Sequence, residues 1–276
     1  RRNIIESIVV LLYYFFICLS YFLFMINISA VSYLNTLPLI YGLQKTNIIN
    51  QIKLSLDYPA LCAQRLLTNE VDIALAPVSI LTKDDNLNII SDYCIGSDGN
   101  VDTVCLFSNS PIEAVNRIYL DYHSNTSVQL LRVLLKEYWC YNIQLTPLDH
   151  HDHKILANNE AELVIGDRAL NRKEFYNYTY DLSFIWKEMT GMPFVFACWM
   201  TKKQIDSSFL DAFNIALSSG IHNIEEAIID IEDKHPYKKD FIHDYLYNKI
   251  SYTLDIYKKQ SLFLFLDKVR NLDSPE

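Results

Sequence analysis

Residues 71–78, Val-Asp-Ile-Ala-Leu-Ala-Pro-Val, form a nearly continuous apolar run. A run this short and this apolar suits a strand covered on both faces, the kind buried in a parallel sheet between helices. The fifty residues before it repeat the same logic. Residues 26–31 read as a buried strand, and Leu37, Leu39, Ile40 and Leu43 follow at helical spacing, with Pro38 in the first turn where a helix tolerates it. A second strand spans 52–56, and an amphipathic helix spans 59–67 with Leu61, Cys62, Arg65 and Leu66 at core-type spacing. This strand–helix–strand–helix–strand order marks an α/β lobe. The first strand ends on Ser32, Tyr33, Asn35 and Thr36, and the third ends on Ser79. In open α/β sheets ligands bind at the carboxyl ends of strands, where unpaired helix N–H groups point at them. Asn35 or Thr36 serves equally well as a plain helix cap.

The rest of the chain extends the pattern. Segments 89–95 and 101–108 are β-rich and joined through Gly96 to Asn100, a turn that either approaches a ligand or makes a hairpin. Residues 117–121 start a second α/β unit, with Thr126 or Ser127 capping a helix over 128–138. Strands follow at 143–145 and 162–165, the latter ending on Gly166-Asp167, and a last apolar strand lies at 194–200. Residues from 207 onward read as an all-helical tail. The expected fold is α/β and bilobal, of the type II periplasmic-binding-protein kind, with two α/β lobes joined by two β crossings near 103–109 and 196–202. Lobe 1 comprises 26–107 with 200–276, and lobe 2 comprises 108–199. Ligand would sit between the lobes.

Composition narrows the function. A formal net charge of −9 argues against a nucleic-acid surface while allowing a small anionic substrate held by local N–H groups. Six cysteines show no Cys-x-x-Cys pair, and Cys62, Cys94, Cys105 and Cys198 lie in apolar segments, which reads as reduced cytosolic core cysteine. Residues 1–25 conflict with a cytoplasmic setting. Arg1-Arg2 precede an apolar run over 8–26, long enough for a membrane anchor. Met25 is read as the working start, with a genuine anchor as the competing reading. Asp149-His150-His151-Asp152-His153 is the most metal-like run, but its spacing fits no standard zinc pattern, so no metal is assigned.

Several stretches, in order, carry a resemblance. They are Val31-Ser32-Tyr33-Leu34-Asn35-Thr36 with Pro38-Leu39 and Tyr41-Gly42-Leu43, Asp57-Tyr58-Pro59 with Cys62-Ala63, the run over 71–78, Tyr93-Cys94-Ile95-Gly96, Gly99-x-Val101, Leu120-Asp121, Thr126-Ser127-Val128, Ile165-Gly166-Asp167 and Gly191-Met192-Pro193-Phe194-Val195-Phe196-Ala197. Together they resemble the chorismate dehydratase family of menaquinone biosynthesis, the first enzyme of the futalosine route. The resemblance implies the same bilobal fold and a lyase reaction. Chorismate loses its hydroxyl as water and becomes an aromatic enolpyruvyl benzoate, with no cofactor and no metal, because aromatisation supplies the driving force.

In that family an Asn of the first motif and a hydroxyl residue of a Gly-x-Val-x-Ser-Val motif are implicated. They match Asn35 and Thr103, the latter as a departure that keeps the hydroxyl and adds a methyl. Ser32, Tyr33, Thr36, Ser79, Gly99, Thr126, Ser127, Gly166 and Asp167 are the substrate-binding expectations. The base is expected to be the substrate's own enolpyruvyl carboxylate. The family usually has Arg where this chain has Asn125, which removes a bidentate carboxylate partner. Two other functions fit the same fold: a non-catalytic solute-binding protein, and the sister enzyme 1,4-dihydroxy-6-naphthoate synthase, whose first motif is the poorer match.

Overall fold

The computed structural model describes residues 25–121, 125–148, 155–233 and 235–272. The apolar run before Met25 and the Asp149 to His153 cluster lie outside the described residues. Among the described residues no helix is long and apolar enough to cross a membrane.

Two sheets organise the chain. In the first, β1 (Ile26–Val31) pairs in parallel with β2 (Ile52–Asp57) and β3 (Ile73–Pro77), with α1 (Leu37–Lys45) and α2 (Pro59–Leu67) as the crossovers. The strand β4 (Asn88–Ser97) then leads through residues 98–103 into the second sheet. That sheet holds β5 (Val104–Ser108), β6 (Arg117–Leu120), β7 (Gln144–Pro147), β8 (Glu160–Ile165) and β9 (Tyr178–Asp181), with α3 (Asn125–Glu137) and the short α4 (Asp167–Leu170) between strands. Helix α5 (Leu182–Thr190) carries the chain back to β10 (Phe194–Thr201), which lies antiparallel between β3 and β4. The sheet orders are β11-β4-β10-β3-β1-β2 and β7-β6-β8-β5-β9. In each sheet two parallel partners flank a central strand, and one strand of the crossing inserts antiparallel beside the third. The two lobes therefore share one strand order, apart from the short extra edge strand of the first sheet.

The crossings differ from the sequence reading. The chain leaves the first sheet after Ser97 and returns with Phe194, so β5 belongs to the second sheet and β10 to the first. Both strands are buried along nearly their whole length, and an apolar run of that kind is compatible with either sheet; only its pairing partner decides. For the same reason β4 and β5 do not form a hairpin.

The C-terminal part packs on the first lobe. Asp206 caps α6 (Ser207–His222) by accepting from Ser208 N at 2.9 Å and Phe209 N at 3.3 Å. Helices α6 and α1 touch through Gly220 and Gly42: a Cβ on Gly220 would overlap the Pro38 carbonyl, and one on Gly42 the Ala216 carbonyl. Beyond α7 (Ile224–Ile229) and α8 (Lys239–Asp244) the tail is not wholly helical. A π-turn over Tyr245–Lys249 is followed by β11 (Ser251–Thr253), which pairs antiparallel with β4, before α9 (Ile256–Arg270). Trp186, Phe194 and Phe265 stack edge to face with centroids 5.0–5.9 Å apart and bind α5, β10 and α9 together. Trp186 and Trp199 are fully buried and belong to this core. Cys62, Cys94, Cys105 and Cys198 are buried free thiols, although Cys94 and Cys198 face each other in the β4–β10 register.

Candidate active site

The carboxyl ends of strands from both sheets line one small, partly open cavity with about 60 Å³ of free space. Lobe 1 contributes Val31, Tyr33, Asn35 and Pro59, the crossing loop contributes Val101 and Thr103, and lobe 2 contributes Thr126, Ser127, Ile165 and Gly166. Pro77, Ile95, Val104, Phe196 and Ala197 complete a mostly apolar wall. Among the described residues, no Asp, Glu, His, Lys or Arg lines it.

Six of the expected site residues therefore meet at one cavity: Tyr33, Asn35, Thr103, Thr126, Ser127 and Gly166. The other five lie outside its wall. Ser32 is exposed and donates its N–H to Asp57 O at 3.0 Å. Thr36 is buried, its hydroxyl turned back to Val31 O at 2.5 Å and Tyr33 O at 2.7 Å, so it closes the strand-to-helix turn. Gly99 sits in the crossing loop at φ +117°, with open space where a side chain would go. Ser79 and Asp167 bridge the lobes instead. Ser79 N donates to Thr126 Oγ1 at 3.2 Å, and that hydroxyl donates to Ser79 Oγ at 3.3 Å. Asp167 accepts from Leu34 N at 3.1 and 3.2 Å across the cleft. Burial pushes the Asp167 carboxyl above the usual carboxylate range, and the Leu34 N–H opposes this only in part. The side chains of Asn35 and Thr36 do not cap α1.

Asn35 is held by its backbone, not by a capping bond. Tyr252 Oη donates to Asn35 O at 3.0 Å. Its side-chain Oδ1 is buried at the cavity with no partner. An unpaired buried carbonyl costs about 1–3 kcal/mol, so the site retains an acceptor that something else must satisfy. Thr103 is 1% exposed, and its hydroxyl lies 2.9 Å from Tyr245 Oη and 3.4 Å from Val101 O.

Two acids that sequence reasoning left out of the site position these groups. Asp181 accepts from Val101 N at 2.8 Å and Asp102 N at 2.7 Å through one oxygen, and from Ser183 N and Phe184 N at 3.0 and 3.1 Å through the other. It thereby ties the first crossing, which carries Thr103, to the cap of α5 on the second. Asp121 accepts from Arg168 Nη2 at 2.6 and 2.8 Å, and the Arg168 charge acts on the Tyr33 phenol. Burial, opposed mainly by the Arg168 charge, holds that phenol well above its ordinary pKa, so it stays protonated. Arg168 thus brings positive charge to the second layer of a cavity whose wall is uncharged. Its only sequence signal is its place directly after Gly166-Asp167. Gly166 has φ +66°, and a Cβ there would stand 2.6 Å from the Tyr33 ring, so this glycine allows the close approach of lobe 2 to Tyr33.

Comparison with known proteins bears on the fold and the family. Solved structures with the same architecture include a protein of Archaeoglobus fulgidus (14% identical, TM-score 0.69, 90% of this chain and 96% of that one). They also include an ABC transporter protein from Parabacteroides distasonis (18%, TM-score 0.60, 91% and 93%) and the periplasmic aliphatic sulphonate binding protein SsuA of Escherichia coli (14%, TM-score 0.55, 91% and 94%). At these identities the likeness establishes the bilobal periplasmic-binding-protein-like fold alone. In sequence, the chain is 29% identical to the chorismate dehydratase of Thermus thermophilus over 167 residues, 53% of this chain, and it spans about 60% of that relative's length. A profile of the menaquinone biosynthesis family matches residues 26–271, which is nearly all of the folded part, and the chain belongs to that family.

Proposed function

We propose that this protein is a chorismate dehydratase, a carbon–oxygen lyase. The carrying observation is the pair of polar groups that converge on one mostly apolar cavity: the unpartnered Oδ1 of Asn35 and the Thr103 hydroxyl. A substrate that becomes aromatic needs little chemistry from the protein. One ring C–H proton and one ring hydroxyl leave, and together they make the released water.

In this reading the substrate's enolpyruvyl carboxylate takes the ring proton and passes it to the departing hydroxyl, which leaves as water. Thr103 donates to the departing hydroxyl oxygen, and Asn35 Oδ1 accepts the hydroxyl's own proton and fixes its direction. A ring carboxylate suits the amino end of α3, where Thr126 and Ser127 and the first-turn N–H groups lie. Charge from Arg168, relayed through the Tyr33 phenol, partly replaces the arginine that Asn125 displaces. The apolar wall excludes competing water from the ring face. The buried free thiols suit a reducing compartment, in keeping with a cytoplasmic enzyme.

A binding protein of the same fold would hold chorismate unchanged. Incubating the purified protein with chorismate separates the two: the enzyme yields an aromatic product in many-fold excess over protein, and the binding protein yields none.

A further inference from the structure

The C-terminal segment reaches Thr103 through one buried phenol. Tyr245 is 2% exposed and stands at the start of the π-turn Tyr245–Lys249, a local irregularity of the kind that often sits at functional sites. Its oxygen lies 2.9 Å from Thr103 Oγ1, its one hydrogen-bond partner among the described residues. The Thr103 hydroxyl gives its own proton to Val101 O at 3.4 Å, so the buried phenol, which needs an acceptor, donates to Thr103 Oγ1. Thr103, accepting that bond, can turn its own proton from the long Val101 contact to a substrate oxygen in the cavity that it lines. Burial keeps the phenol protonated throughout the working pH range.

We infer that Tyr245 is a positioning residue for the reaction: by donating to Thr103 it fixes the Thr103 hydroxyl as a donor that the substrate can engage. This deepens the chorismate dehydratase reading and rests on it. Without the phenol, Thr103 Oγ1 loses the hydrogen bond that polarises it and holds its direction, and it becomes a weaker donor.

The test is a pair of variants assayed on chorismate. Tyr245→Phe keeps the ring in its slot and removes only the oxygen. The inference expects kcat about tenfold lower with KM within about twofold, since the phenol touches no substrate. Combining Tyr245→Phe with Thr103→Val should then be no worse than Thr103→Val alone, because both changes cut the same relay. The double variant removes both partners of one buried hydrogen bond, leaves fewer orphaned groups, and decides the matter even where Tyr245→Phe alone folds poorly. A purely structural Tyr245 lowers the melting temperature and leaves kcat intact; that result, or a double variant slowed by the product of the single effects, overturns the inference. A wild-type protein that leaves chorismate unchanged overturns the substrate reading itself, and the inference falls with it.

Discussion

Replacing Thr103 by Val keeps the branched shape and deletes one oxygen, so it separates hydrogen bonding from packing. Two costs can be worked out separately. For stability, Thr103 is 1% exposed and pairs the buried Tyr245 phenol at 2.9 Å. Val leaves that phenol without this partner, a loss of about 1–3 kcal/mol, which lowers the melting temperature by roughly 2–4 °C per kcal/mol for a chain of this size. For activity, the hydroxyl hydrogen-bonds a leaving oxygen that gathers negative charge. A hydrogen bond to such a group is worth about 1.5–3 kcal/mol, or roughly ten- to a hundredfold in kcat. Thr103→Ser keeps the oxygen and should stay within about threefold of the parent. The assay is the initial rate of aromatic product formation, paired with a thermal melt of each variant. Were Thr103 only a strand residue, Val would be neutral or mildly stabilising. The fold already speaks against that role, because β5 begins at Val104 and Thr103 lies in the crossing loop. Equal turnover by the Val and Ser variants would show that the hydroxyl does no chemistry.

Two further outcomes follow from the same geometry. Asn35→Asp replaces a neutral amide by a carboxylate and puts a negative charge beside an anionic ligand; turnover should fall by at least about tenfold while the melting temperature changes little, as steady-state kinetics and a melt will show. Asp167→Asn keeps an acceptor for Leu34 N and removes a buried charge. Because burial raises the Asp167 pKa in the folded state above its ordinary 3.8, ionising it disfavours folding, and its favourable contribution is complete only below that unfolded value. The Asn variant should therefore melt higher than the parent at neutral pH, with the advantage shrinking as the pH falls through the folded pKa and gone below about 3.8; an advantage that grows on acidification would refute this.

Local patterns carried much of the fold. The apolar spacing and the proline placement of 26–78 mark β1, α1, β2, α2 and β3 within a residue or two, and Gly166-Asp167 ends β8 where its turn chemistry says it should. Pairing between distant strands is not local information. The uniformly apolar Val104–Ser108 and Phe194–Thr201 suit either sheet, so the crossings shift, and the four-residue β9 is too short to show a period. The shared strand order of the two lobes leaves no repeat in the sequence, because backbone pairing fixes it and side chains need only be apolar. The site divides along the same line. Asn35 and Thr103 are visible in short motifs, whereas Tyr245 acts on Thr103 across 142 positions of sequence and lies in a stretch that reads as an ordinary helix. No local motif singles out Arg168 or Asp181; their work shows only once Tyr33 and the crossing loop are placed beside them.

The most direct test of the central claim is the fate of chorismate itself. A trace of protein is added to excess chorismate, and ultraviolet absorbance and mass are followed together. The account predicts loss of one water per chorismate, an aromatic enolpyruvyl benzoate as the single product, and continued turnover well beyond one equivalent of protein. Chorismate recovered intact, with at most one equivalent bound per chain, would contradict it and leave a binding protein in its place.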